Sequence, residues 1–273
     1  MMSDGGAAST TGSCEARRLN AARDVFTPGI IMPPLKTVGE DVLQVFSPTA
    51  DHAMRLAALL HCEAVTSISD VAGDADMYVI SVRDDAVCDV ARSLRVHNAD
   101  SVVVHTAGSV PLSALDGSLP HTAVLYPMQT FSRERRIDFR RVPCFVEASD
   151  PYAMSIVDSL ARRLSDTVVE ADSARRRKLH LAAVFACNMS NHCYWLAERI
   201  VEDEGFSFRL FAPLIEETAK KIRCMSPRQA QTGPMVRNDV SVMNAQLEML
   251  DDPYMRDIYR LMAESIYRDS REG

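Results

Sequence analysis

A doubly wound, parallel α/β sheet followed by an all-helical C-terminal domain is the fold class that this 273-residue chain predicts. Three observations lead there. Short runs that are apolar on both faces, such as DMYVISV (76–82) and SVVVHTAGS (101–109), alternate with helical stretches. Strands buried on both faces belong to parallel sheets covered by helices. After Ser173 the alternation stops and only helical periods follow. A composition of 47% hydrophobic and 25% charged residues is that of an ordinary globular chain.

The elements follow in order. Residues 1–27, opening MMSDGGAASTTG, read as a disordered lead-in without the apolar core of a secretory signal. Residues 28–172 form the α/β domain. Its strands are expected at 41–47, 76–82, 101–109, 122–131, 144–149 and 167–172, and its helices at 49–62, 84–94 and 151–164. The first strand and its glycine loop are atypical or missing. Residues 173–273 form the helical domain, with periods at 174–204, 207–223, 238–250 and 253–269. Ser173 is placed as an N-cap and Gly205 as a stop. The stretch MSPRQAQTGPMVRND (225–239), with two prolines and a glycine, reads as a loop or a short-turn segment.

Charge and cysteine content exclude several functions. Lys and Arg number 30 against 37 Asp and Glu, a net charge of −7, so no nucleic-acid partner is expected. The run RRRK (175–178) is read as a solvated helical turn. Seven cysteines without CxxC or CxxH spacing fit reduced thiols in a cytoplasmic protein better than a disulfide framework or a zinc site. No window approaches the ~18 apolar residues of a membrane span, so no membrane partner is expected either.

In open parallel sheets ligands bind at the carboxyl ends of the strands. The residues to read are therefore Ser47 and Thr49, Ser81 and Val82, and His105 and Thr106 as candidate cofactor contacts. Ser109, Gln129 and Thr130 are candidate substrate contacts. The same residue types also serve as ordinary caps of βα turns, and that reading stays open. A dinucleotide site further needs a GxGxxG turn after the first strand. EARRLNAARDV (15–25) has no glycine, GGAASTTG (5–12) follows no strand, and FTPGIIMPPL (26–35) has one glycine and three prolines. NADP or NAD is therefore a doubtful cofactor, expected to bind weakly or not at all.

The helix containing HLAAVFACNMSNHCYW (180–195) is apolar nearly all round, as buried helices are. At about 100° per residue, His180, Val184, Asn188, Asn191 and Trp195 fall on one stripe with His192 beside it. Buried polar side chains need partners. Either these form a closed network inside the helical domain, or they face the cleft between the two domains or a subunit interface. In the second case His180, with an unperturbed pKa suited to proton transfer, is the first choice of general acid.

The motifs VHTAGS (104–109), LYPMQTFS (125–132), HLAAVFACNMSNH (180–192), PLIEETAKK (213–221) and PRQAQTGPMVRND (227–239) resemble a bacterial family. That family joins a Rossmann-like domain to a helical domain of unknown function. It is classed with NADP oxidoreductases and related to pyrroline-5-carboxylate reductase and 6-phosphogluconate dehydrogenase. The resemblance runs from about residue 36 to the C-terminus and implies an NADP site, a small-molecule ligand and a homodimer built on the helical domain. In the related dehydrogenases the long helix carries a Lys-x-x-x-Asn pair. Asn188 stands at the Asn position, but Val184 stands where the lysine would be. A proton donor on this helix is then His180 or His192, with Asn188 and Asn191 orienting the substrate. By placement, Thr232 and Arg237 resemble a segment that holds a substrate anion. The first 35 residues depart from the family, so either cofactor binding is lost or the upstream reading frame is altered. The expected function is an NAD(P)-dependent oxidoreductase of a small acid or imine with a degenerate cofactor site. The alternative is a non-catalytic Rossmann-like binding or dimerisation protein.

Overall fold

The computed structural model describes residues 34, 35, 37–115, 117, 119–132, 135 and 137–272, and residues 18–23 as backbone. The chain divides into two compact units, Met1–Cys187 and Asn188–Gly273. The first unit thus extends beyond the expected boundary at 172, through the opening turns of the long helix.

The first unit is an eight-stranded sheet in the order β3-β2-β1-β4-β5-β6-β7-β8. The strands are β1 (Arg18–Arg23), β2 (Asp41–Phe46), β3 (Glu63–Val65), β4 (Met77–Ser81), β5 (Val102–His105), β6 (His121–Pro127), β7 (Cys144–Ala148) and β8 (Val168–Glu170). The first six follow the doubly wound dinucleotide order, which reverses direction between β1 and β4. The central strand β1 lies inside the expected lead-in and pairs in parallel with both β2 and β4. One pairing departs from the parallel expectation: β7 runs antiparallel to β6. Among its described residues the connection between them carries only a short 3₁₀ turn, Phe139–Arg141, and a parallel return needs a crossover, usually a helix.

Successive residues of each strand point to opposite faces, which explains why these runs are apolar throughout. Val79, Val104 and Leu125 pack with Leu56 and Leu60 of α1 (Ala50–Leu60) and Val157 and Leu160 of α3 (Pro151–Leu164). Tyr78, Ile80 and Val103 pack on the other face with Val87 and Ala91 of α2 (Val87–Ser93). Full burial contributes roughly 1.5–3 kcal/mol for each such large side chain. Helix α3 spans the predicted residues, opened by Pro151 and by Asp150, whose side chain accepts from the Ala153 N–H.

Helix α4 (Ser173–Ala183) leads through a π-helical segment, Val184–Met189, into α5 (Ser190–Asp203). Each π hydrogen bond spans one residue more than an α turn. The helical phase therefore slips, and the stripe drawn from His180 to Trp195 is not one face. The N-cap is Asp172, whose side chain accepts from the Arg175 N–H, rather than Ser173. Nor is this helix buried all round: Leu181, Phe185 and Trp195 are exposed in the single chain.

The second unit continues with α6 (Ala212–Lys221), α7 (Pro227–Ala230), α8 (Val240–Glu248) and α9 (Pro253–Arg271). Gly205, at φ +75°, follows α5 as the sequence anticipated. Ser226 and Gln229 form a capping box on the one-turn α7, inside the stretch read as a loop or a short-turn segment. Among the described residues of this unit, only Met255 and Ala263 are buried hydrophobics. No helix among the described residues is long and apolar enough to cross a membrane.

Candidate active site

Tyr126, near the carboxyl end of β6, places its hydroxyl 3.1 Å from His180 Nδ1 on α4. The two rings meet edge to face at 6.0 Å. Gly108, in the turn after β5, makes this approach possible. A Cβ there would lie 2.7 Å from His180 Nδ1 and 2.7 Å from Tyr126 Cζ. Burial raises the Tyr126 pKa, and the charges of Asp84 and Cys187 raise it further against Arg176. The phenol is therefore held protonated. Asp84, in the turn after β4, accepts a short hydrogen bond from the Ser109 hydroxyl.

His180 owes its position to the turn before it. Arg176 is fully buried and pairs with Glu147 of β7. It also donates to the Val110 carbonyl. Ser173 Oγ donates to Glu147 Oε2 at 2.8 Å and accepts from the Leu112 N–H at 2.9 Å. These bonds fasten the start of α4 to the sheet. Residues four apart share a helix face, so Arg176 brings His180 to Tyr126. The RRRK run is thus not wholly solvated: its second arginine is internal because a charged partner stands on β7.

The other sequence-derived candidates are distributed as follows. His105 is completely buried, and its Nδ1 accepts from the Ala107 N–H at 3.2 Å. Burial, then the Arg176 charge, lowers its pKa to about 3. Ser81 and Thr106 are buried and bond each other at 3.0 Å. Ser47 is buried and accepts from the Thr49 N–H at 3.3 Å. Thr49 is exposed at the start of α1 and makes no side-chain cap, and Val82 is half-buried. Gln129 and Thr130 are exposed and bonded to each other. Asn188, Asn191 and His192 belong to the second unit and are exposed. His192 lies 5.3 Å from the Trp195 ring, over which Arg199 sits at 5.3 Å. Thr232 and Arg237 are exposed in the same unit.

Of the predicted residues, then, His180 meets Tyr126 against Gly108 and Ser109 bonds Asp84 in the neighbouring turn, while His105, Ser81 and Thr106 are buried. The sequence reading missed Tyr126, Asp84, Arg176 and Glu147. Tyr126 carries no signal, since an aromatic in an apolar strand reads as core. Glu147, a lone charge within CFVEA, was the available signal.

A dinucleotide would find the β1–β4 reversal and, at the end of β2, the unengaged hydroxyl of Thr49 beside the free N-terminal amides of α1. These fit a sugar-phosphate. The segment after β1, DVFTPGIIMP (24–33), the place of a glycine loop in a dinucleotide fold, lies outside the described residues. Among the described residues no group of three His, Cys, Asp or Glu could hold a metal ion.

Residues 142–266 match the family model described as "Domain of unknown function (DUF2520)". No curated protein matches the chain. A Bacteroides fragilis protein, provisionally described as an NADP oxidoreductase, is 37% identical over 94% of this chain and 100% of its own, with a TM-score of 0.89. The fold is shared more distantly with an imine reductase from Myxococcus stipitatus in complex with NADP+, 15% identical over 93% of both chains, TM-score 0.60. It is also shared with a pyrroline-5-carboxylate reductase from Coxiella burnetii, 12% identical over 94% of this chain and 98% of the other, TM-score 0.56. With the reversing sheet order, the helical second unit and a full-length relative at this identity, the chain belongs to the Rossmann-like family that carries the DUF2520 domain.

Proposed function

We propose that the protein is an NADP-linked oxidoreductase that reduces a C=N or C=O bond of a small molecule, with Tyr126 and His180 as its proton-delivering pair. The 3.1 Å contact between them, lodged against Gly108 at the strand ends, carries the proposal. The cofactor, when bound, supplies the hydride. Thr49 and the start of α1 would hold its sugar-phosphate. The pair holds a proton between Tyr126 Oη and His180 Nδ1 and gives it to the substrate heteroatom. The raised Tyr126 pKa keeps that oxygen protonated at neutral pH. Arg176 and Glu147 position His180 without touching the substrate.

Two measurements test this. Calorimetric titration of the full chain is expected to show saturable NADPH binding, weaker than usual because segment 24–33 has a single glycine. Tyr126→Phe is then expected to lower kcat/KM for a cyclic imine or ketone panel by roughly 10²-fold, at the low end for general acid catalysis. NADPH binding should be unchanged. No binding at millimolar NADPH would refute the proposal and leave a non-catalytic binding protein, the reading that the single glycine favours.

We further propose that the chain pairs as a homodimer through its helical unit. Leu210, Leu214, Met249 and Leu261 are each more than 60% exposed there, against the two buried hydrophobics. A helical unit with so small a core needs a second apolar surface, and a second copy is the commonest source. Light scattering at micromolar concentration is expected to give twice the 30.2 kDa chain mass; the monomer mass would refute it.

A further inference from the structure

The described residues of the connection from β6 to β7 line an open, solvent-facing cavity of about 500 Å³. Phe131 and Ile137 line it and pack against the core, and Phe131 stacks on Phe139 at 6.4 Å. Among the described residues the remaining lining is almost entirely donors: the hydroxyls of Thr130 and Ser132, the amide of Gln129, and the guanidinium groups of Arg135 and Arg141. Gln129 Oε1 already accepts from Thr130 N at 2.8 Å, which leaves its NH₂ group to donate. Among the described lining residues the one carboxylate, Asp138, is engaged in capping the 139–141 turn through the Arg140 N–H at 3.2 Å.

Three arginines of this connection differ in what they do. Arg140 bonds the carbonyls of Arg162 and Arg163 and lies 3.5 Å from Asp166. Among the described residues, Arg135 and Arg141 enter no ion pair. Two unpaired guanidinium groups with neutral donors around an apolar floor make a site for a planar or tetrahedral oxyanion, which arginine grips with two parallel bonds.

We propose that this cavity binds the anionic group of a small-molecule ligand, a carboxylate or a phosphate, through Arg135 and Arg141. This rests on the oxidoreductase reading, because the cavity opens where the residues following β6 leave the carboxyl edge of the sheet. A carboxylate would come from an acid substrate and a phosphate from a nucleotide.

Titration calorimetry of the full chain at low ionic strength, where exposed charges are least screened, tests it. Malonate and inorganic phosphate are titrated separately, with and without NADPH. Saturable binding of at least one anion is expected. In Arg135→Gln/Arg141→Gln it should weaken by about tenfold or more, the scale of one charge-assisted hydrogen bond. Arg92→Gln, on the surface of α2 beside Asp89, should bind as the wild type. Malonate binding that persists beside NADPH assigns the acid substrate, whereas exclusion of phosphate by NADPH assigns the nucleotide. Thermal melting establishes that the double variant folds, and the single variants serve if it does not. Absence of saturable binding, an unaffected double variant, or equal weakening by Arg92→Gln would overturn the proposal. The anion titrations stand without NADPH, so failure of the cofactor reading is recorded separately.

Discussion

Arg176→Met is expected to destabilise the α/β unit by about 3 kcal/mol or more, the cost of leaving one partner of a buried ion pair uncompensated. The guanidinium is completely buried and pairs with Glu147, Ser173 and the Val110 carbonyl. Removing it leaves the Glu147 carboxylate in a poorly hydrated site with only Ser173 for company. The Glu147 side chain is 17% exposed, so water will moderate the loss and keep it near the lower end. Arg176→Met/Glu147→Leu should recover most of the stability, since an apolar replacement of a whole buried pair is often neutral. Urea unfolding of the three proteins gives the comparison. A single-variant loss under about 1 kcal/mol would mean that the pair is hydrated like a surface salt bridge.

Acid should destabilise the protein through His105 before it reaches most carboxylates. Its folded pKa, about 3, lies well below the ordinary 6.5, chiefly because it is buried and secondarily because of Arg176. Above pH 6.5 neither state is protonated, and the folded state carries no penalty. Below it, the unfolded chain takes up a proton that the folded chain refuses. Stability is therefore lost as pH falls from 6.5 toward 3, at up to about 1.4 kcal/mol per pH unit from this one residue. Asp150 acts lower. Burial would raise it, but hydrogen bonds from the Ala153 N–H, His121 and Ser149 hold it at about 2 against 3.8, so its contribution is lost only below about pH 4. Unfolding free energies at pH 4.5, 5.5 and 6.5 are expected to converge for His105→Gln relative to wild type. An equal slope in both proteins would show that His105 takes up its proton without unfolding.

Where neighbouring residues alone decide a structure, the chain was legible. DMYVISV, SVVVHTAGS and TAVLYPMQTF announce β4, β5 and β6, because strands flanked on both sides must be apolar on both faces. PYAMSIVDSLARRL announces α3 through its Asp-Pro start and its apolar stripe. Local pattern is silent where the deciding partner is remote in sequence. RLNAAR has no periodicity, yet it is β1 because β2 and β4 offer it hydrogen bonds on both edges. Tyr126 resembles any core aromatic until α4 brings His180 to it across 54 residues. Arg176 is indistinguishable from Arg175 and Arg177 until Glu147 takes it inward. The stripe drawn from His180 to Trp195 depended on an unbroken α-helical period, and the π segment at Val184–Met189 shifted that phase. Periodicity records which face of an element is apolar. Charge pairing, strand pairing and helical phase depend on partners that only the folded chain supplies.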